Sequence, residues 1–138
     1  MPWKETPYRG ARFKIVFWLD EEEACHMESF LLELMGSDDP DAAAMDRLLT
    51  DTANHGLPHN IQKFRFLKAK GKGLAEFKAR GGARILCIVD RDNHRIVCTH
   101  GIPKLEGKRF DRWVGRSQKV QEKYSLETTP EEGTDYVH

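Results

Sequence analysis

No stretch of this chain is apolar for the roughly 18 residues that a membrane-spanning helix needs. Its first residues, MPWKETPYRG, have no apolar segment of the kind a secretory leader carries, so no leader is expected. Cysteine is scarce. Cys25, Cys87 and Cys98 are odd in number and form no CxxC, which argues against a disulfide framework and for a reducing, cytoplasmic setting. Cys87, Cys98 and His100 lack both a fourth ligand and metal-site spacing, so no metal is expected. There is no internal repeat. Net charge is absent too, with 22 basic residues against 22 acidic. What remains is a 138-residue chain, one domain large enough to bury a core without staples.

Zero net charge conceals a strong asymmetry. Residues 1–59 carry 5 Lys or Arg against 12 Asp or Glu, residues 60–123 carry 17 against 6, and residues 124–138 carry 0 against 4. A single surface lysine ordinarily does no more than solvate a face. A basic surplus over one contiguous half of the chain suits a polyanion such as nucleic acid.

Residues 12–19, RFKIVFWL, alternate Phe13, Ile15, Phe17 and Leu19 against Arg12, Lys14, Val16 and Trp18, which predicts a strand with one apolar face. Asp20 and Glu23 have the spacing of a capping box. Ala24, Met27, Leu31, Leu34 and Met35 follow at helical spacing, and Gly36 is a stop. Asp39-Pro40 provides N-cap and N1 of a second helix with the stripe Met45, Leu48, Leu49 and Thr52, ending at Gly56. So short a link between two helices predicts an antiparallel helical hairpin.

A second strand is expected over 61–67, a basic flexible turn over 68–73, and three more strands between Leu74 and Lys104. A last helix is expected over 108–123, with Phe110, Trp113, Val114, Ser117, Val120 and Tyr124 along one face. The expected fold is α+β: an antiparallel sheet of four to five strands, helices against one face, an N-terminal helical hairpin and a C-terminal helix. One domain spans 1–124, and the polar, acidic segment 125–138 is expected to be a disordered tail.

The block LAEFKARGGARILCIVDRDNHRIVCTHGIPK holds Lys78, Arg80, Arg84, His100 and Lys104. The turn at Gly81-Gly82 decides whether these cations meet. A two-residue loop pairs Arg80 with Ala83 and sends Arg84 to the face opposite Lys78. A three-residue loop with a bulge at glycine pairs Arg80 with Arg84 and Lys78 with Leu86, gathering Glu76, Lys78, Arg80 and Arg84 on one side. Like charges directly opposite destabilise a sheet, so this second register, the expected one, makes most sense if an anion neutralises them. Glu76 reads as an ion-pair partner of these cations. With Asp92-Asn93 central in the next turn, Cys87 falls opposite Cys98 as a pair of buried thiols, and His100 falls on their face.

The runs NIQKFRFLK, LAEFKARGGARILCIVD and RIVCTHGIPK, followed by a basic helix, resemble the RelE/ParE toxin superfamily and, within it, the HigB and phage-derived branch. The likeness covers most of 12–124 in element order, with its specific letters concentrated in 60–104. It implies the toxin of a toxin–antitoxin pair: a ribosome-dependent endoribonuclease, or mRNA interferase, silenced by a cognate antitoxin. By similarity the working cations are Lys78, Arg80, Arg84 and Lys104. His100, with an ordinary pKa near about 6.5, is either a proton carrier or a satisfied core histidine. Lys63 and Arg65 join the RNA-binding set, and Arg109, Arg112 and Arg116 of the last helix are placed to track phosphates.

The chemistry suits such residues. Attack of a ribose 2′-hydroxyl on its phosphate needs a proton acceptor, a proton donor and cations aimed at the extra charge of the phosphorane. Lysine serves as acid or base where neighbours depress its pKa, as Arg80 and Arg84 would for Lys78. Arginine cannot lose its proton and acts as a clamp. No cofactor is called for. Two departures from the family pattern stand out. Leu105 replaces a second basic residue, and no tyrosine matches the base-stacking one: Phe110 and Trp113 have core-like spacing, and Tyr124 lies too far along. The competing reading is a non-catalytic protein, either a ParE-like gyrase poison or a phage-derived binder of RNA or antitoxin. The expected partners are ribosome-bound mRNA and a cognate antitoxin, or gyrase, RNA or an antitoxin on the competing reading, and not a membrane.

Overall fold

The apolar run ILCIV of residues 85–89 does not alternate, because its strand is covered from both sides. The computed structural model describes residues 2–67, 73–103 and 108–128, with the backbone alone at 108 and 109. In chain order the elements are β1 (Trp3–Arg9), β2 (Lys14–Trp18), α1 (His26–Gly36), α2 (Pro40–His55) and β3 (Phe64–Phe66). They continue with β4 (Leu74–Lys78), β5 (Arg84–Asp90), β6 (Arg95–Ile102) and α3 (Lys108–Thr128). The strands form a mixed six-stranded sheet in the order β1-β2-β6-β5-β4-β3. Its pairings are antiparallel except β2 with β6, which is parallel and sets Lys14 beside Arg95.

The α+β class stands. The antiparallel sheet of four to five strands is instead a six-stranded sheet with one parallel pairing. Parallel neighbours need a crossover, and the long connection through α1 and α2 supplies part of it. The extra strand, β1, is hidden in sequence by Lys4, Glu5, Pro7 and Arg9. Pro7 falls in the stretch between Glu5 and Arg9 where the register with β2 shifts, a place proline tolerates on an edge strand.

Helices cover both faces, not one. On the first face Met27, Phe30, Leu34, Met45 and Leu49 of α1 and α2 pack with Ile15, Phe17, Phe77, Ile85 and Ile96. On the second, Val114, Val120 and Tyr124 of α3 pack with Val16, Trp18, Leu86, Ile88 and Val97. This double cover is why the middles of β5 and β6 read as continuous hydrophobic runs. Each large side chain so buried contributes about 1.5–3 kcal/mol, on both faces of the sheet.

α2 begins and ends where its sequence says. The Asp39 carboxylate accepts the Asp41 N–H at 2.8 Å, Pro40 occupies the first turn, and Gly56 closes the helix at φ 102°. α1 starts later than its apparent capping box. The Asp20 carboxylate instead accepts the N–H groups of Glu22 and Ala24, each at 2.9 Å, and Glu23 takes φ 63° to close a turn. Phe30 completes the buried stripe of α1 in place of Met35, which is 66% exposed. Gly101 faces Phe30 so closely that a Cβ there would sit 2.0 Å from the ring.

The strand expected over 61–67 shortens to Phe64–Phe66, because 61–63 form a turn. Residues 125–128, assigned to a disordered tail, continue α3. The remainder of that tail, 129–138, lies outside the described residues, as do the basic turn at 68–72 and Lys104. Among the described residues no helix is long and apolar enough to cross a membrane.

Candidate nucleic-acid interface

The β4–β5 hairpin turns through three residues, Arg80-Gly81-Gly82, with the Ala79 N–H donating to the Ala83 carbonyl at 2.9 Å. The loop has the expected length but sits one residue earlier than the expected register. Lys78, not Arg80, therefore pairs with Arg84, and Leu86 lies opposite Glu76. The cause is Asp41, near the start of α2. Its buried carboxylate accepts the Gly81 N–H at 2.9 Å and the Ala83 N–H at 3.0 Å. A Cβ on Gly81 would lie 2.6 Å from both carboxylate oxygens, and Gly82 needs φ 106°. An acid forty residues upstream thus sets the turn, and no local pattern announces it.

This register places Lys78, Arg84 and Glu76 on the α3 face of the sheet, with Arg65 of β3 directly opposite Glu76. The Lys78 N–H donates across to the Lys63 carbonyl, so Lys78 and Arg84 form a non-hydrogen-bonded pair on the β5 side, where side chains approach most closely. Glu76 is 1% exposed and sits between two guanidinium groups, Arg65 Nε at 2.7 Å and Arg84 Nη1 at 3.4 Å. It is the ion-pair partner its sequence context suggested. The Arg84 guanidinium also lies 4.7 Å above the Phe110 ring, the first aromatic of α3. Repulsion between Lys78 and Arg84 is thus relieved in part by the protein's own carboxylate. Lys78 and Arg80 make no ion pair among the described residues.

His100 reaches the same face through a defect in the ladder. Cys87 pairs with Cys98 as expected, but Leu86 pairs with His100, so Thr99 is an extra residue. Such a bulge re-aims the side chains beyond it. It turns His100 away from the two cysteines and toward α3, correcting the expectation that the three share a face. Both Thr99 Oγ1 and His100 Nδ1 bond the Ser117 hydroxyl of α3, at 2.7 and 3.1 Å. The rings of His26 and Trp113 close over His100 at 5.0 and 5.3 Å between centroids. Burial first, then the charges of His26 and Arg116, push the His100 pKa down to about 4, so its ring is neutral at physiological pH. A neutral imidazole can accept a proton, but a pKa that low makes it a weak base near neutral pH and leaves it no imidazolium proton to donate.

Cys87 and Cys98 are free and fully buried, and burial pushes both thiols above their ordinary range. The other expected site residues spread out. Arg80 is exposed in the turn, outside the Lys78–Arg84 row, and Lys63 is exposed beside β3. Arg112 and Arg116 are exposed on α3, the latter with its guanidinium 4.6 Å over Trp113. The Arg109 side chain and all of Lys104 lie outside the described residues. Tyr124 is unavailable for stacking on a base: it is buried, donates to Asp90 at 2.5 Å and accepts from Arg95 at 3.0 Å. Asp41 and His26 are the residues that sequence reasoning missed, and both act across long chain separations. Set against protein-family models, curated proteins and solved structures, the chain matches none of them.

Proposed function

We propose that this chain is a toxin of the RelE/ParE superfamily, of the RelE/HigB-like, phage-derived branch, and that it cuts ribosome-bound mRNA by 2′-hydroxyl attack. The carrying observation is the direct cross-strand pair of Lys78 and Arg84, with His100 a diagonal neighbour of Arg84 on the same face. The order two strands, two helices, four strands, helix is compatible with the same reading, with β1 as an addition to the family pattern. On this reading the two helices before β3 are the family's N-terminal hairpin, and α3 is its closing helix. Arg84, fixed by Glu76 and Phe110, clamps the scissile phosphate. Lys78 brings a mobile charge and a proton to the leaving oxygen, and His100 is a proton acceptor. Lys63, Arg65, Arg112 and Arg116 hold flanking phosphates, and a cognate antitoxin covers this surface in the resting cell. Induced expression should stop growth, and Lys78→Ala with Arg84→Ala should restore it. Purified ribosomes carrying a model message should yield codon-positioned cuts. Intact message together with undisturbed growth would overturn the proposal.

A second reading has one observation in its favour. Arg84 is already engaged by Glu76 and packed on Phe110, as a structural residue would be. On that reading the chain binds gyrase, RNA or an antitoxin without chemistry of its own. Growth arrest without message cleavage would select it.

A further inference from the structure

A cleft of about 890 Å³ opens toward the end of the sheet that carries the Arg91–His94 turn, away from the Arg80–Gly82 loop. Its walls come from the residues just before β2, the segment after α2, β3, and the turn between β5 and β6. Six basic side chains line it: Arg12, Arg65, Arg91, His55, His59 and His94, with no Asp or Glu among the described lining residues. The apolar lining includes Phe64 and Phe66, whose rings stand edge to face at 5.3 Å and belong to the α1–α2 side of the sheet. The Arg91 guanidinium lies 5.8 Å over Phe66, and Ile61 stands 75% exposed at the cleft. Arg12 and Arg91 are exposed and make no ion pair among the described residues.

Charge of one sign and aromatic rings together select a ligand. An apolar molecule would leave the unpaired guanidinium groups of Arg12 and Arg91 unmatched, and an acidic peptide would leave the rings unused. A flat base carrying a phosphate satisfies both, and the volume lies within the range of about 300–1,000 Å³ found for small-molecule sites. We propose that this cleft binds nucleotide units, the base against Phe66 and the phosphate drawn by Arg12 and Arg91. The site is separate from the cleavage proposed above, because the Phe64 and Phe66 rings lie on the opposite face of the sheet from Lys78 and Arg84. Arg65, on the edge strand β3, borders both surfaces through its place in the cleft and its ion pair with Glu76. A single strand passing over that edge meets Lys63 and Arg65 between one surface and the other.

The test uses the full chain with two probes, AMP and a fluorescein-labelled single-stranded RNA 12-mer. Arg12→Glu with Arg91→Glu should weaken binding at least tenfold, and Arg12→Gln with Arg91→Gln should do so to a lesser degree. Circular dichroism should show both variants folded. For the RNA, the slope of log affinity against log salt should fall by about 1.4, from two lost contacts at about 0.7 each. For AMP, amide shifts should centre on Phe66 and His94. Loss with both probes, or with either alone, supports the site; which probe responds says whether the source is free nucleotide or polynucleotide. Unchanged affinity in both variants would overturn it. So would a poly-glutamate 12-mer that competes as well as RNA and is lost equally. Message cleavage by the charge-reversed protein is scored separately, so the cleft proposal and the nuclease proposal fail independently.

Discussion

The imidazole rings of His26 and His100 meet edge to face with 5.0 Å between their centroids, where the start of α1 crosses β6 beneath α3. Burial, with the nearby Arg116 guanidinium, holds both below the ordinary histidine value, His100 near about 4. Ser117 and Trp113 of α3 also touch His100, and the pull of Glu33 on His26 in the opposite direction is outweighed by burial and Arg116.

That arrangement predicts acid sensitivity with a defined sign. Between about pH 6.5 and pH 4 the unfolded chain binds a proton on His100 and the folded chain does not, and the lowered His26 adds in the same direction. The contribution of His100 should be fully present above about 6.5, fall as pH drops through this window, and be lost below about 4. The His100 share is on the order of 3 kcal/mol. Urea unfolding at several pH values would measure it. His100→Asn should flatten the dependence, and an unchanged slope in that variant would contradict the assignment.

Asp41→Ala should destabilise the fold by about 2–3 kcal/mol, since the buried Ala83 N–H and the turn's Gly81 N–H lose their charged acceptor. Gly81→Ala should cost a similar amount, because its new methyl group meets the same carboxylate. Combined, the two changes should cost clearly less than the sum of the single effects, as expected for residues in contact. Strict additivity in a double-mutant cycle would show that the clamp is not a unit.

Glu76→Gln leaves two guanidinium groups around a neutral amide and should cost about 3 kcal/mol. Arg65→Ala removes only the half-exposed partner, and a change of less than about 1 kcal/mol is expected. Lys78→Ala should alter stability by less than about 0.5 kcal/mol, and under the proposed nuclease function it should lower message cleavage at least about a hundredfold. Chemical denaturation and single-turnover cleavage separate the two quantities.

The three thiols should divide into one and two. Cys25 is partly buried and should react slowly with a thiol reagent in the native protein. Cys87 and Cys98, fully buried, should react only after unfolding in denaturant. Rapid labelling of all three in buffer would mean that the sheet opens far more readily than its packing implies.

Local signals in the sequence were reliable where the chain obeys local rules. Asp39-Pro40 and Gly56 bracket α2, and the helical face from Val114 to Tyr124 is buried as its spacing implies. Lys78 and Arg84 were expected on one side of the hairpin with Glu76 as partner, and they are there, although the loop sits one residue earlier and the residue opposite Arg84 is Lys78 in place of Arg80. The failures trace to distant causes. Asp41 chooses the turn position, the Thr99 bulge redirects His100, and β1 joins an edge through backbone pairing that tolerates charges and a proline. α3 on the second face converts an alternating pattern into a continuous one, and neither strand shows this in isolation.

The parallel seam between β2 and β6, where Lys14 lies beside Arg95, has a consequence for biogenesis. A nascent chain makes β2, α1 and α2 long before the strand they must flank exists. Until β6 emerges, the apolar sides of both early helices have no completed surface to close against, and they are open to chaperones or to one another. A product that stops short of Arg95 should therefore aggregate or be degraded instead of persisting as a half-sized domain.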